Sequence, residues 1–282
     1  MSADNAEQIA EWNGEQGRRW AARQQWLDTM TLPFGQAALD AAGARPGERV
    51  LDIGCGCGST TLMLARQVGA GGEVLGVDVS QPMLEVARRQ AAETGLPVSF
   101  VEADAADAAL PGGRDLLHSR FGLMFFNDPA AALRHLRGRL RPGGRIAFVC
   151  WRTPRDNPWA MAPLMAARQA LGITPAAADP LAPGPFAFAD DARLGSLLAE
   201  AGFAAADLQR FDAAIPIGDS ARAAAQTALQ IGPVARLARE AGTDRAAGLV
   251  DAIERALLPL AAADGAVRLN GSTWVVTATN PG

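Results

Sequence analysis

Short apolar runs alternate with amphipathic ones through the first half of this 282-residue chain. Val50, Leu51 and Ile53 form a run suited to a buried parallel strand, interrupted by Asp52. Leu62, Leu64, Ala65 and Val68 then fall on one face of a helix, with Ser59 or Thr60 placed to cap it. GEVLGVDV, residues 72–79, reads as a second strand ending in Asp78. Ser80 caps the next helix, Pro82 sits in its first turn where a missing N–H costs little, and Met83, Leu84, Val86 and Ala87 supply its apolar face. VSFVEAD (98–104) and RDLLHS (114–119) continue as strands three and four. LRPGGRIAFVCWR (140–152) follows as a helix end, a Pro-Gly-Gly turn and strand five. Alternation with short loops predicts right-handed βαβ units and a parallel sheet.

The flanks read differently. Residues 4–27 carry Trp12, Trp20 and Trp26, and with Ile9 and Leu27 they predict one or two short amphipathic helices broken near Asn13-Gly14. Such a segment either packs on the main domain or closes over a ligand as a lid. A helix is expected at 34–43. Residues 153–190 are Pro-rich (Pro154, Pro158, Pro163, Pro175, Pro180, Pro183, Pro185) around a helical run near 157–171. Long insertions of this kind serve as lids or acceptor-site elements. Trp151, Asn157 and Trp159 there are acceptor contacts or packing. A helix at 190–201, a sixth strand at 206–217, Ala-rich helices over 219–263 and a last strand at 271–280 complete the chain. Leu249, Ile253, Leu257 and Leu260 mark one helical face of the Ala-rich stretch.

The chemistry centres on VLDIGCGCGSTT, residues 50–61, where Gly54, Gly56 and Gly58 alternate. Glycines free the backbone to turn and let a ligand approach it, and the following helix N-terminus suits an anion. The dinucleotide fingerprint has two residues between its second and third glycines, against one here, and the P-loop needs a Lys where Ser59 stands. Asp-x-Gly-x-Gly-x-Gly resembles motif I of the class I S-adenosylmethionine (SAM)-dependent methyltransferases. The Pro-Gly-Gly turn before strand five resembles the post-motif of that family. Nearest is the broad group that includes ubiquinone and menaquinone biosynthesis C-methyltransferases, and the matched motifs span about residues 45–152.

An acidic residue ending the second strand suits both ribose hydroxyls of a nucleoside, which is the reading of Asp78. Asp104 ends the third strand beside it. The resemblance implies that Asp104 accepts from the adenine amino group, that the Ala105 N–H donates to the ring, and that Val79 and Met83 flank the adenine faces. It places Asp52, Gly54, Cys55 and Gly56 against the cofactor, and backbone carbonyls of Ser119 and Arg120 against its ammonium. Asp52, Asp78, Glu102 and Asp104 gather at this edge, where acidity suits a cation and repels a pyrophosphate. His118 is either a general base or a histidine satisfied within the sheet. His135 reads as a surface residue. Phe121, Leu123, Met124, Phe125 and Phe126 belong to the core or wall an acceptor pocket.

The resemblance also implies an α/β, Rossmann-like doubly wound sheet of seven strands in the order 3-2-1-4-5-7-6, the last antiparallel. Lid helices would occupy 1–30, the SAM-binding core 31–152, and the rest of the sheet 153–282, with a helical cap inserted at 153–190 and 219–263. The expected cofactor is SAM, yielding S-adenosylhomocysteine, with a small-molecule methyl acceptor as partner. A SAM-binding sensor without methyl transfer and a nicotinamide-dependent reductase are the rival readings.

Composition trims the alternatives. Every one of the 26 basic residues is Arg, which excludes a Schiff-base lysine. A net charge of −4 disfavours a nucleic-acid partner. Three cysteines, Cys55, Cys57 and Cys150, form no paired framework and too small a set for a closed zinc site, so no metal is expected. With a polar, acidic start that is no secretory signal and no apolar run of membrane length, a cytoplasmic protein is expected.

Overall fold

The computed structural model describes residues 5–174, 182–230, 232–242, 246 and 248–282; Pro175 and Pro180 of the Pro-rich stretch and the first residues of the expected lid lie outside them. The chain folds as two compact units. The first draws on Met1–Trp151, Leu181–Phe211 and Thr273–Gly282, the second on Arg152–Pro180 and Asp212–Ser272.

Three helices open the first unit: α1 (Ala6–Asn13), α2 (Glu15–Ala22) and α3 (Gln24–Ala42). The break at Gly14 is the expected one. α3 is longer than the expected 34–43 because it runs through Pro33, whose fixed φ is helical and whose cost is one internal hydrogen bond. Strand and helix then alternate: β1 (Arg49–Ile53), α4 (Ser59–Val68), β2 (Glu73–Asp78), α5 (Gln81–Ala92), β3 (Val98–Glu102), β4 (Arg114–Arg120), α6 (Pro129–Arg137) and β5 (Leu140–Trp151). α4 is capped by Gly58 rather than by Ser59 or Thr60, which are its first helical residues and send their hydroxyls to Asp28 and Asp52. α7 (Pro158–Leu171), α8 (Asp191–Glu200), β6 (Ala204–Gly218), α9 (Ala221–Ala228), α10 (Gly232–Ala241), α11 (Leu249–Leu257) and β7 (Val267–Thr279) follow.

The seven strands form one sheet in the expected order, β3-β2-β1-β4-β5-β7-β6. β1 pairs in parallel with β2 and β4, β2 with β3 and β4 with β5, while β7 runs antiparallel to β5. Val50, Val74, Leu116 and Ala147 on one sheet face pack against Leu39 and Ala42 of α3 and Leu64, Ala65 and Val68 of α4. Shielding the strands on both faces explains their near-continuous apolar runs.

The second unit has a core of its own. Leu164, Ala167 and Leu171 of α7, Ala224, Ala225 and Ala228 of α9, and Leu249, Ile253 and Leu257 of α11 meet Val267 and Leu269 of β7. Leu260 departs from the expected stripe and is 44% exposed. α11 ends at Leu257, and the tighter 3₁₀ turn over Leu258–Leu260 rotates Leu260 off the apolar face. Asn157 in this unit is wholly buried and its amide is spent on packing. It donates to the carbonyls of Thr153 and Ser272 and accepts from the Ser272 N–H and the Trp159 indole.

Candidate functional site

The carboxyl ends of β1, β2 and β3 bring Gly56, Asp78, Asp104 and Ala105 to one edge of the sheet. The loop after β1 bends toward β2, with the Gly54 and Cys55 N–H groups both donating to the Val77 carbonyl. A Cβ at Gly54 would lie 2.8 Å from the Gly122 Cα, so this glycine permits two loops to touch. Gly56 is different. Its φ is +55°, and a Cβ there would meet only the Met83 Sδ, at 3.8 Å, so the backbone presents an open face. Cys55 and Cys57 are both buried, and burial pushes their thiols well up, Cys57 to about 12. They are inert spacers.

Asp78 is the hinge of this edge. Its Oδ2 accepts the Gly56 N–H at 2.7 Å and its Oδ1 the Ser80 N–H at 2.8 Å. A carboxylate offers about four acceptor sites, so each oxygen keeps one for a ligand. Burial raises its pKa to about 6, even though the Ser80, Gly56 and Val79 N–H groups pull it down. A buried carboxylate in that condition is short of partners, and two hydroxyl donors would relieve it. Asp104 is also buried, with Oδ1 accepting the Ala106 N–H. The neighbouring Ala105 N–H makes no hydrogen bond among the described residues. Val79 and Met83 adjoin this row, Met83 buried at the start of α5.

Asp52 and Glu102 do not join the row. Glu102 is exposed. Asp52 is wholly enclosed, accepting from the Thr60 and Thr61 hydroxyls through Oδ2 and facing the His118 Nδ1 at 2.8 Å through Oδ1. Asp52 and His118 are register partners across β1 and β4, which is why they meet. A carboxylate can only accept here, so Nδ1 carries the proton and Nε2 is left buried without a partner among the described residues. Of the two readings of His118, the structure favours the enclosed histidine over an acid–base group facing a reactant. His135 is half-buried rather than a surface residue, its Nε2 lying 2.9 Å from the Ala108 carbonyl.

At the end of β4 the Ser119 hydroxyl donates to the Ile53 carbonyl and accepts the Gly122 N–H, locking this strand to β1. The Arg120 guanidinium pairs with Asp28 and Thr31 on α3, and Asp28 also takes the Ser59 hydroxyl. Phe121 follows with φ +60°, a left-handed conformation that costs a bulky residue on the order of 1–2 kcal/mol. Its ring stacks on Trp151 at 4.3 Å, and Phe34 packs edge-on to Phe121, Trp151 and Phe211.

The N-terminal helices lie against the same edge. Asn13 donates to the Val79 carbonyl and accepts from the Gln81 N–H, spanning the turn after β2. The Ser80 hydroxyl, which caps nothing, donates to the Trp12 carbonyl. Trp12 also packs edge-on to Trp20 and Phe125. Asn5 donates to Asp104. Neither asparagine carries a sequence signal beyond belonging to an aromatic-rich segment ahead of the first strand.

Residues 50–144 match the family described as a methyltransferase domain. This chain carries a methyltransferase domain over residues 50–144. The domain is 38% identical over 149 residues to nocamycin O-methyltransferase of Saccharothrix syringae, covering 51% of this chain and 53% of the relative. It is 40% identical over 119 residues to demethylmenaquinone methyltransferase of Thermus thermophilus, covering 42% and 54% respectively. The chain thus spans about half the length of these curated relatives. The YcgJ protein of Bacillus subtilis shares the fold with a TM-score of 0.58 at 19% identity, over 88% of this chain and 99% of that one. The methyltransferase domain also fits its cofactor by chemistry. Asp78 has acceptors to spare for two hydroxyls, Ala105 has a free donor for a ring nitrogen, and Gly56 leaves its backbone open. Among the described residues no cluster of three or more His, Cys, Asp or Glu could hold a metal ion. Nor is any described helix long and apolar enough to cross a membrane.

Proposed function

We propose that this protein transfers the methyl group of SAM to a small, hydrophobic or aromatic acceptor and releases S-adenosylhomocysteine, working in the cytoplasm. The observation that carries the cofactor half is the Asp78 carboxylate, fixed by two backbone N–H groups yet keeping an acceptor site on each oxygen. In this reading Asp78 holds the ribose hydroxyls. Asp104 and Ala105 hold the adenine edge between Val79 and Met83, Gly54, Cys55 and Gly56 give the backbone approach, and carbonyls at Ser119 and Arg120 receive the ammonium. Asp52 acts behind them by tying the start of α4 to β1.

SAM supplies a methyl already activated by a cationic sulfur: the acceptor's lone pair forms the new bond, the carbon–sulfur pair returns to sulfur, and any acceptor proton leaves to solvent. The chain therefore has to align and desolvate rather than provide a nucleophile. No base is assigned. The aromatic group of Phe34, Phe121, Trp151 and Phe211 supports an apolar acceptor, because a strained Phe121 persists only where its surroundings hold it. The names of the nocamycin and demethylmenaquinone relatives agree with a small molecule. Three unpaired cysteines favour a reducing compartment. We further assign α1 and α2 as a lid, held by Asn13 on the β2 turn.

The test is methyl transfer from labelled SAM to a panel of apolar and aromatic metabolites. Label entering an acceptor, with stoichiometric S-adenosylhomocysteine, supports the proposal. Tight SAM binding with no turnover on any acceptor would instead make this a sensing protein.

A further inference from the structure

Asn5 sits where the N-terminal segment meets β3, and it is only 7% exposed. Its Nδ2 donates to the Asp104 Oδ2 at 2.6 Å, across a sequence separation of 99 residues. Facing a carboxylate, an amide has to present its NH₂ group, since two oxygens would repel. That choice aims the other end away from Asp104. The Asn5 Oδ1 is accordingly buried with no hydrogen-bond partner among the described residues. A native interior seldom leaves an acceptor in that state unless something else supplies the donor.

The Asn5 Oδ1 and the remaining sites on Asp104 are thus acceptors in want of donors on two side chains joined by a hydrogen bond, and the residue after Asp104 brings the unpartnered Ala105 N–H. The edge of adenine is the complement of this set: an exocyclic amino group with two hydrogens, beside a ring nitrogen that accepts. We infer that Asn5 is a specificity-determining residue, its Oδ1 taking one hydrogen of the 6-amino group while Asp104 takes the other. The inference rests on the SAM reading and adds to it a base contact made from the N-terminal segment. A 6-oxo base reverses both positions, offering a carbonyl to two acceptors and a ring N–H to the Ala105 donor. Such a mismatch leaves buried groups unpaired and is strongly rejected.

Calorimetric titration with S-adenosylhomocysteine and with its 6-oxo analogue, S-inosylhomocysteine, tests this. The wild-type chain should prefer the amino ligand. Asn5→Ala should weaken the amino ligand by roughly 3- to 10-fold, the worth of one hydrogen bond, and leave the oxo ligand unchanged or tighter, so the preference narrows. Asn13→Ala frees the same helix from the Val79 carbonyl without touching the base contact; it should weaken both ligands together and keep the ratio. An unchanged ratio in Asn5→Ala overturns the inference, whether both affinities fall through a looser segment or both rise because Asn5 merely blocks Asp104. Asp78→Ala separates the two levels of the argument. If the wild type binds S-adenosylhomocysteine and Asp78→Ala binds it at least about 10-fold more weakly, while the Asn5→Ala ratio stands still, only the Asn5 assignment fails. If the wild type binds neither nucleoside, the SAM reading fails and takes this inference with it.

Discussion

The two halves of the sheet's carboxyl edge are built from opposite materials. At the ends of β1, β2 and β3 the exposed chemistry is backbone and carboxylate: an open glycine, two buried aspartates with acceptors to spare, and a free N–H. At the ends of β4 and β5 it is aromatic: Phe121 stacked on Trp151, with Phe34 and Phe211 edge-on. The polar half can recognise one ligand by its hydrogen-bond pattern. Under the proposed function the aromatic half excludes water and selects the acceptor by shape. Specific recognition of a common cofactor and adaptable accommodation of an acceptor call for that division of labour.

The first way to break the comparison is to remove the carboxylate that faces inward. Asp52→Ala strands the Thr60 and Thr61 hydroxyls and the His118 Nδ1 in the interior, so chemical unfolding should show a loss of 3 kcal/mol or more, on the order of one penalty per orphaned donor. Stability close to wild type would mean that Asp52 is not the buried tie described. Asp78→Ala, one strand away, should fold and instead lose about 1.5–3 kcal/mol of SAM binding, roughly 10- to 100-fold by calorimetry. Unchanged affinity would remove Asp78 from the site.

Titration sharpens the contrast. With its pKa raised to about 6 by burial, Asp78 is ionised at neutral pH, and a ligand that needs its carboxylate should bind more weakly as pH falls below 6, approaching tenfold per unit. The sign for folding is opposite. A raised carboxyl contributes stability that is full below its unfolded value of 3.8 and is lost as pH rises through about 6. The ligand-free protein should thus lose stability between pH 4 and 7 relative to Asp78→Asn, while its affinity for SAM climbs. Parallel trends would contradict the assignment.

On the aromatic side, Phe121→Gly relieves the positive φ but removes the ring stacked on Trp151. Strain relief of about 1–2 kcal/mol is outweighed by lost stacking of about 0.5–1.5 kcal/mol together with lost ring burial of about 1.5–3 kcal/mol, so melting temperature should fall modestly. The acceptor KM should rise roughly 10-fold, worth about 1.4 kcal/mol, with SAM affinity held. The smallest effect belongs to the lid. Removing residues 1–22 leaves α3 and its Asp28–Arg120 pair intact, and should weaken SAM more than it lowers the melting temperature. Equal losses would make α1 and α2 simple packing.

The polar half was legible in the sequence for a physical reason. Short βα loops fix where strands end, so an acid at the end of strand two or three has one place to go, and the glycine spacing separates this loop from its nucleotide-binding cousins. The same alternation made the parallel βαβ units readable, while the order of the sheet followed from the family resemblance. Asp52 was misplaced because its fate depends on register: only pairing β1 with β4 puts it opposite His118. The full length of α3 was hidden by Pro33, which reads as a stop but is tolerated once α3 packs on the sheet. Asn5 and the left-handed Phe121 were illegible, since one depends on a contact across 99 residues and the other on a backbone angle that no side-chain pattern encodes. The second unit was blurred too, because its core joins segments separated by α8 and much of β6.

The most direct test is a crystal structure of this protein grown with S-adenosylhomocysteine. The account predicts the ribose hydroxyls on the Asp78 carboxylate, the adenine edge on Asp104 and Ala105, and the chain of the ligand passing Gly56 toward the end of β4. A nucleoside bound elsewhere, or hydroxyls turned away from Asp78, would contradict it.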